Sequence, residues 1–520
     1  MKIRYAFRII RSFTALTLGL MLMLLCGCGA EKKTEGPVYT RLEELEHARI
    51  GVTTGSVQAM QAEAHFPDAK LYYFSSTVDC IEALRAGKVD GIADSEPLLQ
   101  YMMAENPDLA LIDEPLAEKM QVASAFPKTN RGKMLCGQFS EYIIGIKQNG
   151  VYDEVRAAWF GSEESLRTVS DPSRLPGPNG TLRVAVDTTS VPFAYVKDGR
   201  IVGFDVDMVV RFCEEYGYQP EFIIMDFSGI LPSITSGKCD FGSGGIAVTV
   251  ERAESILFSE PTYEGGSMMA VLKASEKEEE GGIARSILLS FEKTFLRENR
   301  WKLYLTGIGN TLLITLLSIL FGTLLGFVVY VLCRKGSVLA NRLTKACIWL
   351  VEGMPMVVLL MVLYYIVFRS AGIGGLAVSV IGFMLTFGAS MFGMLQSGVK
   401  AVDPGQTEAA YALGYTDRMT FFQIILPQAF QHFMPAYRGQ VVSLLKATAV
   451  VGYIAVQDLT KMGDIVRSRT YEAFFPLIAV TVIYFLLAGI LTRAVGWLIG
   501  NIDPKNRRPE QILKGVDQHD

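Results

Sequence analysis

The chain has 520 residues, of which 50% are hydrophobic and 20% charged, and its formal net charge is −4. It is too long for one domain and too hydrophobic to be wholly soluble, so a protein with soluble and membrane parts is expected. The small negative charge provides no basic surface for nucleic acid. Eight cysteines without a CxxC pair, together with four histidines, do not suggest a zinc or haem site.

Residues 1–28 have the pattern of a secretory signal. Four basic residues among the first eleven positions precede an apolar run from Phe13 to Leu25, which is short for a membrane span. Leu25-Cys26-Gly27-Cys28 resembles a bacterial lipobox, which would make Cys28 the lipidated first residue of the mature protein. An uncleaved anchor helix is the alternative, and either version places the following residues outside the cytoplasmic membrane.

Two α/β units follow. In residues 38–163, apolar segments such as ARIGVTTG and VDGIADS alternate with amphipathic helical segments, which predicts a parallel sheet. Residues 164–181 are rich in proline, glycine and serine and are predicted to be a linker. The second unit covers residues 182–275, from LRVAVD to a last strand at MMAVLK.

Residues 276–302 begin with an acidic run, EKEEE, which is predicted to be a solvated linker. Apolar residues then recur at helical spacing from Ile283 to Leu296. This pattern favours an amphipathic helix on the membrane surface, or a helix packed beneath the α/β units.

An all-α membrane domain is predicted for residues 303–502. Five hydrophobic spans are predicted, at about 307–333, 347–368, 374–398, 441–457 and 474–500. Basic residues cluster after the first span and after the last, and the positive-inside rule places both clusters in the cytoplasm. The tail at 503–520 and the 404–427 loop are therefore expected in the cytoplasm, with the α/β units outside.

The 404–427 loop, PGQTEAAYALGYTDRMTFFQIILP, has a strong helical pattern. Pro404-Gly405 starts a turn, the residues after it are good helix formers, and Gly414 can end that helix in a left-handed cap. An apolar face then ends at Pro427. The pattern predicts two short helices with a glycine corner that a soluble partner could grip; an ordinary loop is the alternative.

The loop resembles the EAA loop of ABC-importer permeases, a coupling helix that sits in a groove of the ATP-binding subunit. The matching residues are Glu408, Ala409, Ala410, Gly414, Leu426 and Pro427. The segment SLLKATAVVGYIAVQDL at 443–459 is similar to permeases of histidine/glutamine-type polar amino acid importers. The resemblance covers about residues 300–500 and implies a separate ATP-binding subunit as partner. The chain itself lacks a G-x-x-x-x-G-K-[ST] loop, so ATP is expected to be bound by the partner only, and no cofactor is expected here. One five-span half cannot enclose a pathway, which favours a permease homodimer.

The two α/β units resemble the lobes of a polar amino acid binding protein, a bilobed periplasmic-binding-protein-like (type II) domain. Residues 181–273, with VPFAYVKDGRIVGFDVDM, are similar to the first lobe, and residues 40–163 to the second lobe. Because the lobes stand in reversed order, we expect a circular permutation joined through the linker. Two half-domains from separate binding domains are the alternative.

An α-amino acid ligand needs a planar cation for its carboxylate and an acceptor for its ammonium group. The resemblance assigns the carboxylate to Arg252, and the ammonium to Asp94. The other residues that it implies as ligand contacts are Thr249, Gly245, Phe227, Asp187, Gly55 and Ser56. Three departures from the family pattern affect this site: Ser190 replaces a stacking aromatic residue, Ala247 replaces a hydroxyl residue, and the segment ending at Asp94 is one residue short.

The sequence therefore predicts a fused substrate-binding and permease subunit of an ABC importer for amino acids, in the cytoplasmic membrane of a bacterium. A ligand-gated channel is a second class of function, but it would need a TVGYG-like filter, which the sequence lacks. A periplasmic enzyme such as a dehydratase is a third class. It would need an acid or base beyond the carboxylates already assigned to binding.

Overall fold

The computed structural model describes residues 39–161, 163–273, 288–334, 336, 338–369, 372–470 and 474–502. The predicted signal segment with Cys28 and the tail at 503–520 lie outside the described residues. Within them the chain forms two α/β lobes, here called lobe A and lobe B, and a helical region.

Lobe A has a six-stranded sheet in the order β2-β1-β3-β13-β4, with β5 also paired to β13. Its strands are β1 (Arg49–Thr53), β2 (Lys70–Phe74), β3 (Gly91–Ser95), β4 (Leu109–Leu111), β5 (Ala117–Val122) and β13 (Tyr263–Leu272). Its helices are α1 (Val57–His65), α2 (Thr77–Arg85) and α3 (Glu96–Glu105). β1 is parallel to β2 and β3, whereas β13 is antiparallel to β3.

Lobe B has a five-stranded sheet in the order β10-β7-β11-β6-β12. Its strands are β6 (Ala125–Pro127), β7 (Thr181–Val186), β10 (Gln219–Ile224), β11 (Phe241–Gly242) and β12 (Ile256–Phe258), and β8 (Tyr195–Lys197) pairs with β9 (Arg200–Val202) in a separate hairpin. Its helices are α4 (Asn130–Asn149), α5 (Val151–Phe160), α6 (Phe204–Glu215), α7 (Phe227–Thr235) and α8 (Val250–Ser255).

The lobe boundaries differ from the predicted units at 38–163 and 182–275. The chain crosses between the lobes twice, from β5 to β6 and from β12 to β13, so each predicted unit contributes a strand to both sheets. Helices α4 and α5 pack in lobe B because their aromatic side chains fill its core. The Phe139 and Phe212 rings lie 5.0 Å apart, and the Trp159 indole donates to Asp207 at 3.0 Å. The alternative of two separate half-domains is therefore wrong.

The helical region contains helices α9 to α17. These are α9 (Trp301–Arg334), α10 (Val338–Gly353), α11 (Met356–Met361), α12 (Gly375–Lys400), α13 (Pro404–Ala412), α14 (Asp417–Met419), α15 (Leu426–Ala447), α16 (Leu459–Thr470) and α17 (Phe474–Ile502). Among the described residues, three helices are long and apolar enough to cross a membrane. The number rises to five, as predicted, if each of two bent pairs, bent by 108° and 59°, is one span.

One prediction for the 404–427 loop is wrong. The helix after Gly414 is not short, because it continues from Asp417 to Ile454 as one half of a bent pair. Pro427 does not end it. A wide π turn at Thr420–Ile425 precedes Pro427, which is the second residue of α15.

The predicted helix in 276–302 is described only from residue 288 onward. It forms short helical turns, and Phe295 packs its ring 5.1 Å from that of Tyr304 in α9. Leu288 and Leu296 remain exposed. The described part therefore packs against the start of the helical region.

Candidate functional site

A cleft forms where the carboxyl ends of the parallel strands meet. Gly55 and Ser56 follow β1, and Asp94 lies near the end of β3, so all three belong to this edge of lobe A. In lobe B, Asp187 follows β7 and Phe227 comes shortly after β10. Ligands of open α/β sheets bind outside the carboxyl ends of the strands. The topology therefore brings the predicted residues of both lobes to the edges where a ligand is expected.

Arg252 joins the two lobes. Its Nη2 atom donates to the Gly55 carbonyl of lobe A at 2.9 Å, and Nη1 donates to the Ala247 carbonyl at 2.8 Å. Its guanidinium lies 5.6 Å from the centre of the Phe227 ring. Thr249 caps α8 by accepting from the Arg252 amide at 3.1 Å. Four of the predicted residues thus form one cluster across the cleft.

The guanidinium is suited to a carboxylate. Arginine carries five N–H donors, and the two carbonyl bonds use two of them. Burial lowers the pKa of Arg252, but an arginine stays charged at neutral pH. A cavity of about 280 Å³ lies beside the cluster, lined by Val57, Gln61, Met120, Gln121, Val248 and Glu264. Its lining includes the residue after Ser56 and the residue before Thr249.

Asp94 and Asp187 are buried carboxylates. Asp94 accepts from the Thr77 hydroxyl at 2.5 Å and from the Ser95 amide at 2.7 Å. Asp187 accepts from the amide and the hydroxyl of Thr189, at 3.1 and 2.9 Å. Burial raises the pKa of both groups, and nearby Lys461 opposes this effect at Asp187. A cation placed beside either carboxylate would offset the cost of its burial.

Ser56 and Gly245 already have partners within the protein. The Ser56 hydroxyl caps α1 by accepting from the Ala59 amide at 3.1 Å, which leaves its own proton to donate. The Gly245 amide donates to the buried carboxylate of Asp205 at 2.8 Å, so it is not free to bind a ligand carboxylate in this structure. Asp205 also accepts from Gly244 and from Thr262, and burial raises its pKa to about 6. Asp205 thus connects the loop at Gly244 and Gly245 to the crossover between β12 and β13.

Sequence reasoning missed two cations of α16 that reach the cleft. Lys461 is 5% exposed and is paired with Asp226, the residue before Phe227. Arg467 is paired with Asp79 in the first turn of α2, shortly after β2. Their partners lie 235 and 388 residues away in sequence, which is why local patterns could not reveal them.

Lobe B also rests on the helical region through backbone carbonyls. Lys238 donates to the Phe368 carbonyl at 2.5 Å, and Arg369 donates back to the Ser236 carbonyl at 3.1 Å. The Tyr365 hydroxyl, which donates to the Tyr453 carbonyl at 2.9 Å, lies 3.5 Å from the Gly229 carbonyl at the start of α7. The cleft is therefore placed against the helices.

The 404–427 loop contains the predicted corner. Gly414 has φ of +81°, its amide donates to Tyr411, and the Tyr415 amide donates to Ala410, which is the Schellman pattern of a left-handed helix end. Glu408 and Ala409 are exposed, whereas Ala410 is 1% exposed. Around the corner, large apolar side chains remain exposed: Tyr411, Leu413, Met419 and Phe422.

Arg334 fixes the loop to the end of α9. It is paired with Asp417 at 2.5 Å and lies 4.4 Å from the centre of the Phe421 ring. Asp417 also accepts from the Tyr411 hydroxyl at 3.1 Å. The other end of α9 packs near α16 through Tyr304 and Leu459. At about 1.5 Å per residue, α9 is about 50 Å long, so the corner and the cleft lie at opposite ends of the helical region.

A bilobed α/β domain with its cleft against membrane-length helices defines a membrane-bound solute-binding protein. A family model, Bacterial extracellular solute-binding proteins, family 3, matches residues 182–414. This match begins in lobe B and continues into the helical region as far as the glycine corner.

Curated relatives of the chain include permeases. The chain is 31% identical over 188 residues to the putative glutamine transport system permease protein GlnP of Rickettsia bellii, which covers 35% of this chain and 84% of that protein. It is 31% identical over 186 residues to the L-cystine transport system permease protein TcyL of Bacillus subtilis, covering 34% of this chain and 78% of that protein. A crystal structure of an amino acid ABC transporter with histidines is 30% identical, covers 38% of this chain and 93% of its own, and has a TM-score of 0.35.

The chain belongs to the family of amino acid ABC transporter permeases, and it carries a solute-binding domain in the same polypeptide. The predicted mixed fold, a bilobed α/β domain followed by a helical permease domain, is confirmed. In the described residues, no three His, Cys, Asp or Glu side chains come together as a metal site.

Proposed function

We propose that the chain is the binding and permease subunit of an ABC importer that takes up a polar amino acid from outside the cytoplasmic membrane. The observation that carries this proposal is the cleft itself. Arg252, Gly55, Thr249 and Phe227 form one cluster that joins the two lobes, and a residue of each lobe pairs with a permease helix. A solute released there would leave the binding domain at the surface of the permease.

The proposed ligand chemistry follows from the charges of the cleft. Arg252 offers donors to the α-carboxylate, and the buried carboxylates Asp94 and Asp187 are acceptors for the ammonium group. Ser190 stands where the family has a stacking aromatic residue, which favours a wider pocket. The proposed ligand is therefore a polar amino acid that is bulkier or less standard.

Energy is proposed to come from a separate ATP-binding subunit at the glycine corner. The exposed Glu408 and the apolar side chains of Tyr411 and Leu413 form a surface suited to a groove in a soluble partner. Arg334 pairs with Asp417, which couples movement of the corner to α9. Two copies of the permease part are proposed to enclose the pathway, as a homodimer.

Sidedness is proposed from charge. Arg334, Arg342 and Lys345 follow α9 at the end that carries the corner, which the positive-inside rule assigns to the cytoplasm. The binding domain at the other end then lies outside, and the predicted lipidated Cys28 would add a second attachment. The two crossovers between the lobes support the proposed permutation, because a single cleft forms from both units.

Binding by the purified full-length protein in detergent tests the proposal. Calorimetric titration with each of the standard amino acids is expected to reveal a polar ligand, and pull-down from the native membrane is expected to recover an ATP-binding subunit. Absence of amino acid binding would refute the ligand assignment. Recovery of the subunit without any amino acid binding would leave the permease assignment in place.

A further inference from the structure

Helix α16 carries a row of charges that contacts both lobes of the binding domain. Lys461, Asp464 and Arg467 are spaced three residues apart, so they share one face of the helix. Arg467 also donates to Asp464 at 3.1 Å, which links the row internally. Lys461 and Arg467 are separated by about 9 Å along the helix axis.

The two ends of the row contact different lobes. Lys461 is paired with Asp226 of lobe B, which directly precedes Phe227 of the Arg252 cluster. Arg467 is paired with Asp79 of lobe A, which also accepts from the hydroxyls of Ser75 and Ser76. One permease helix therefore binds both edges of the cleft at once.

The Lys461 ammonium has the same chemistry as the ammonium of an amino acid. It is 5% exposed, so it needs carboxylate partners to offset its burial. Asp226 provides one, and Asp187, the predicted ligand contact after the neighbouring strand β7, lies close enough to interact electrostatically. Strands β7 and β10 are paired in parallel, so both carboxylates follow the same edge of the sheet.

We propose that α16 is a ligand-displacing element, in which Lys461 competes with the ammonium group of the bound amino acid for Asp187 and Asp226 while Arg467 holds the opposite lobe. Docking of the binding domain on the permease then weakens ligand binding and directs the released amino acid toward the helices. This proposal rests on the proposed function, because it requires an amino acid in the cleft.

The test compares ligand affinity in the full-length protein, reconstituted in lipid nanodiscs, between the wild type and Lys461→Met. If Lys461 occupies the ammonium site in nine-tenths of the wild-type molecules, only one-tenth can bind the ligand. Removing the Lys461 ammonium is then expected to lower the Kd about tenfold. Uptake into vesicles is expected to fall in the same variant, because release is impaired. Lys302→Met is the matched control. Lys302 is an exposed lysine at the same end of the helical region, 5.7 Å from the Trp301 ring. Its substitution is expected to leave both the affinity and the uptake unchanged.

Arg467→Gln provides a second variant in case Lys461→Met fails to fold, because the Arg467 side chain is 15% exposed and more tolerant of change. It too is expected to bind the ligand more tightly than the wild type. Folded variants with unchanged or weaker affinity, alongside a wild type that binds, would overturn this inference alone. Absence of amino acid binding by the wild type and by both variants would overturn it together with the proposed function.

Discussion

The Nη2 atom of Arg252 lies 2.9 Å from the carbonyl oxygen of Gly55, so a lobe B side chain is hydrogen-bonded to the lobe A backbone. This bond joins the lobes through the residue that we propose binds the ligand carboxylate. A ligand that binds the remaining donors of Arg252 would therefore contact a side chain that is already bonded to both lobes. Arg252 would then take part both in holding the lobes together and in binding the ligand.

Substitutions of Arg252 should show how much of amino acid binding depends on its charge and how much on its planar guanidinium. Arg252→Ala is expected to weaken amino acid binding by about 30-fold or more, because removing one partner of a buried charge pair costs about 2–5 kcal/mol. Arg252→Lys should fall between Ala and the wild type, since lysine keeps the charge but loses the planar fork. Calorimetry on the full-length protein measures both. Arg174→Ala, at a side chain 83% exposed, is the control, and equal binding by Arg252→Ala would contradict the assignment.

Asp205 predicts a pH dependence of stability. Burial raises its pKa from 3.8 to about 6, a difference that corresponds to about 3 kcal/mol. Because the folded pKa is the higher one, this contribution to stability is fully present below about pH 4 and is lost as the pH rises through about 6. Thermal unfolding at about pH 4 and about pH 7 should show this loss in the wild type, and Asp205→Asn should reduce it.

Asparagine suits this position because its amide oxygen can accept from Gly244 and Gly245, while its NH₂ group can donate to Thr262. The same change in melting temperature with pH in the wild type and in Asp205→Asn would show that another group is responsible.

Two substitutions of Gly414, by alanine and by asparagine, are expected to differ in how much they destabilise the corner. Its φ of +81° is a left-handed conformation, and an added Cβ would meet no atom within 4 Å, so any cost comes from the backbone. Gly414→Ala is expected to destabilise the corner by about 1 kcal/mol, and Gly414→Asn by less. Hydrogen exchange of the Gly414 and Tyr415 amides should be faster in the Ala variant than in the Asn variant. Equal exchange in the two would contradict the left-handed cap.

Substitution of Glu408 is expected to reduce transport without changing amino acid binding. Glu408→Lys reverses an exposed charge at the proposed partner surface, where a mismatched charge costs several kcal/mol. Uptake should fall at least about tenfold, while amino acid binding stays unchanged because the cleft lies at the other end of α9. Glu63→Lys makes the same change at an exposed site on α1 and should have no effect. Intact uptake and partner binding in Glu408→Lys would refute the coupling role.

Local patterns revealed the strand ends and the glycine corner, because each depends on neighbouring residues. Strands β1, β3 and β7 were predictable from short apolar runs, and Gly414 from its place after a helix-forming stretch. The same reasoning misplaced β13. Its apolar sequence, MMAVLK, is compatible with either sheet. Its pairing with β3 is set by residues about 170 positions away.

The cations of α16 show the other limit. Lys461 and Arg467 stand in the segment TKMGDIVRSR, which has the composition of an ordinary amphipathic helix. Their proposed role depends on the pairs with Asp226 of lobe B and Asp79 of lobe A. Long-range pairing of this kind follows from the folded domain and not from spacing along the chain.

ATP-driven uptake in reconstituted vesicles tests whether the chain is a subunit of an ABC importer. The full-length chain is co-purified with its ATP-binding subunit, and uptake of each radiolabelled amino acid is followed with and without ATP on the partner's side. We expect a polar amino acid to accumulate against its gradient only with ATP, and we expect this uptake to be lost in Arg252→Ala and in Glu408→Lys. Passage of solute or ions down a gradient without ATP would contradict it and would favour a ligand-gated channel.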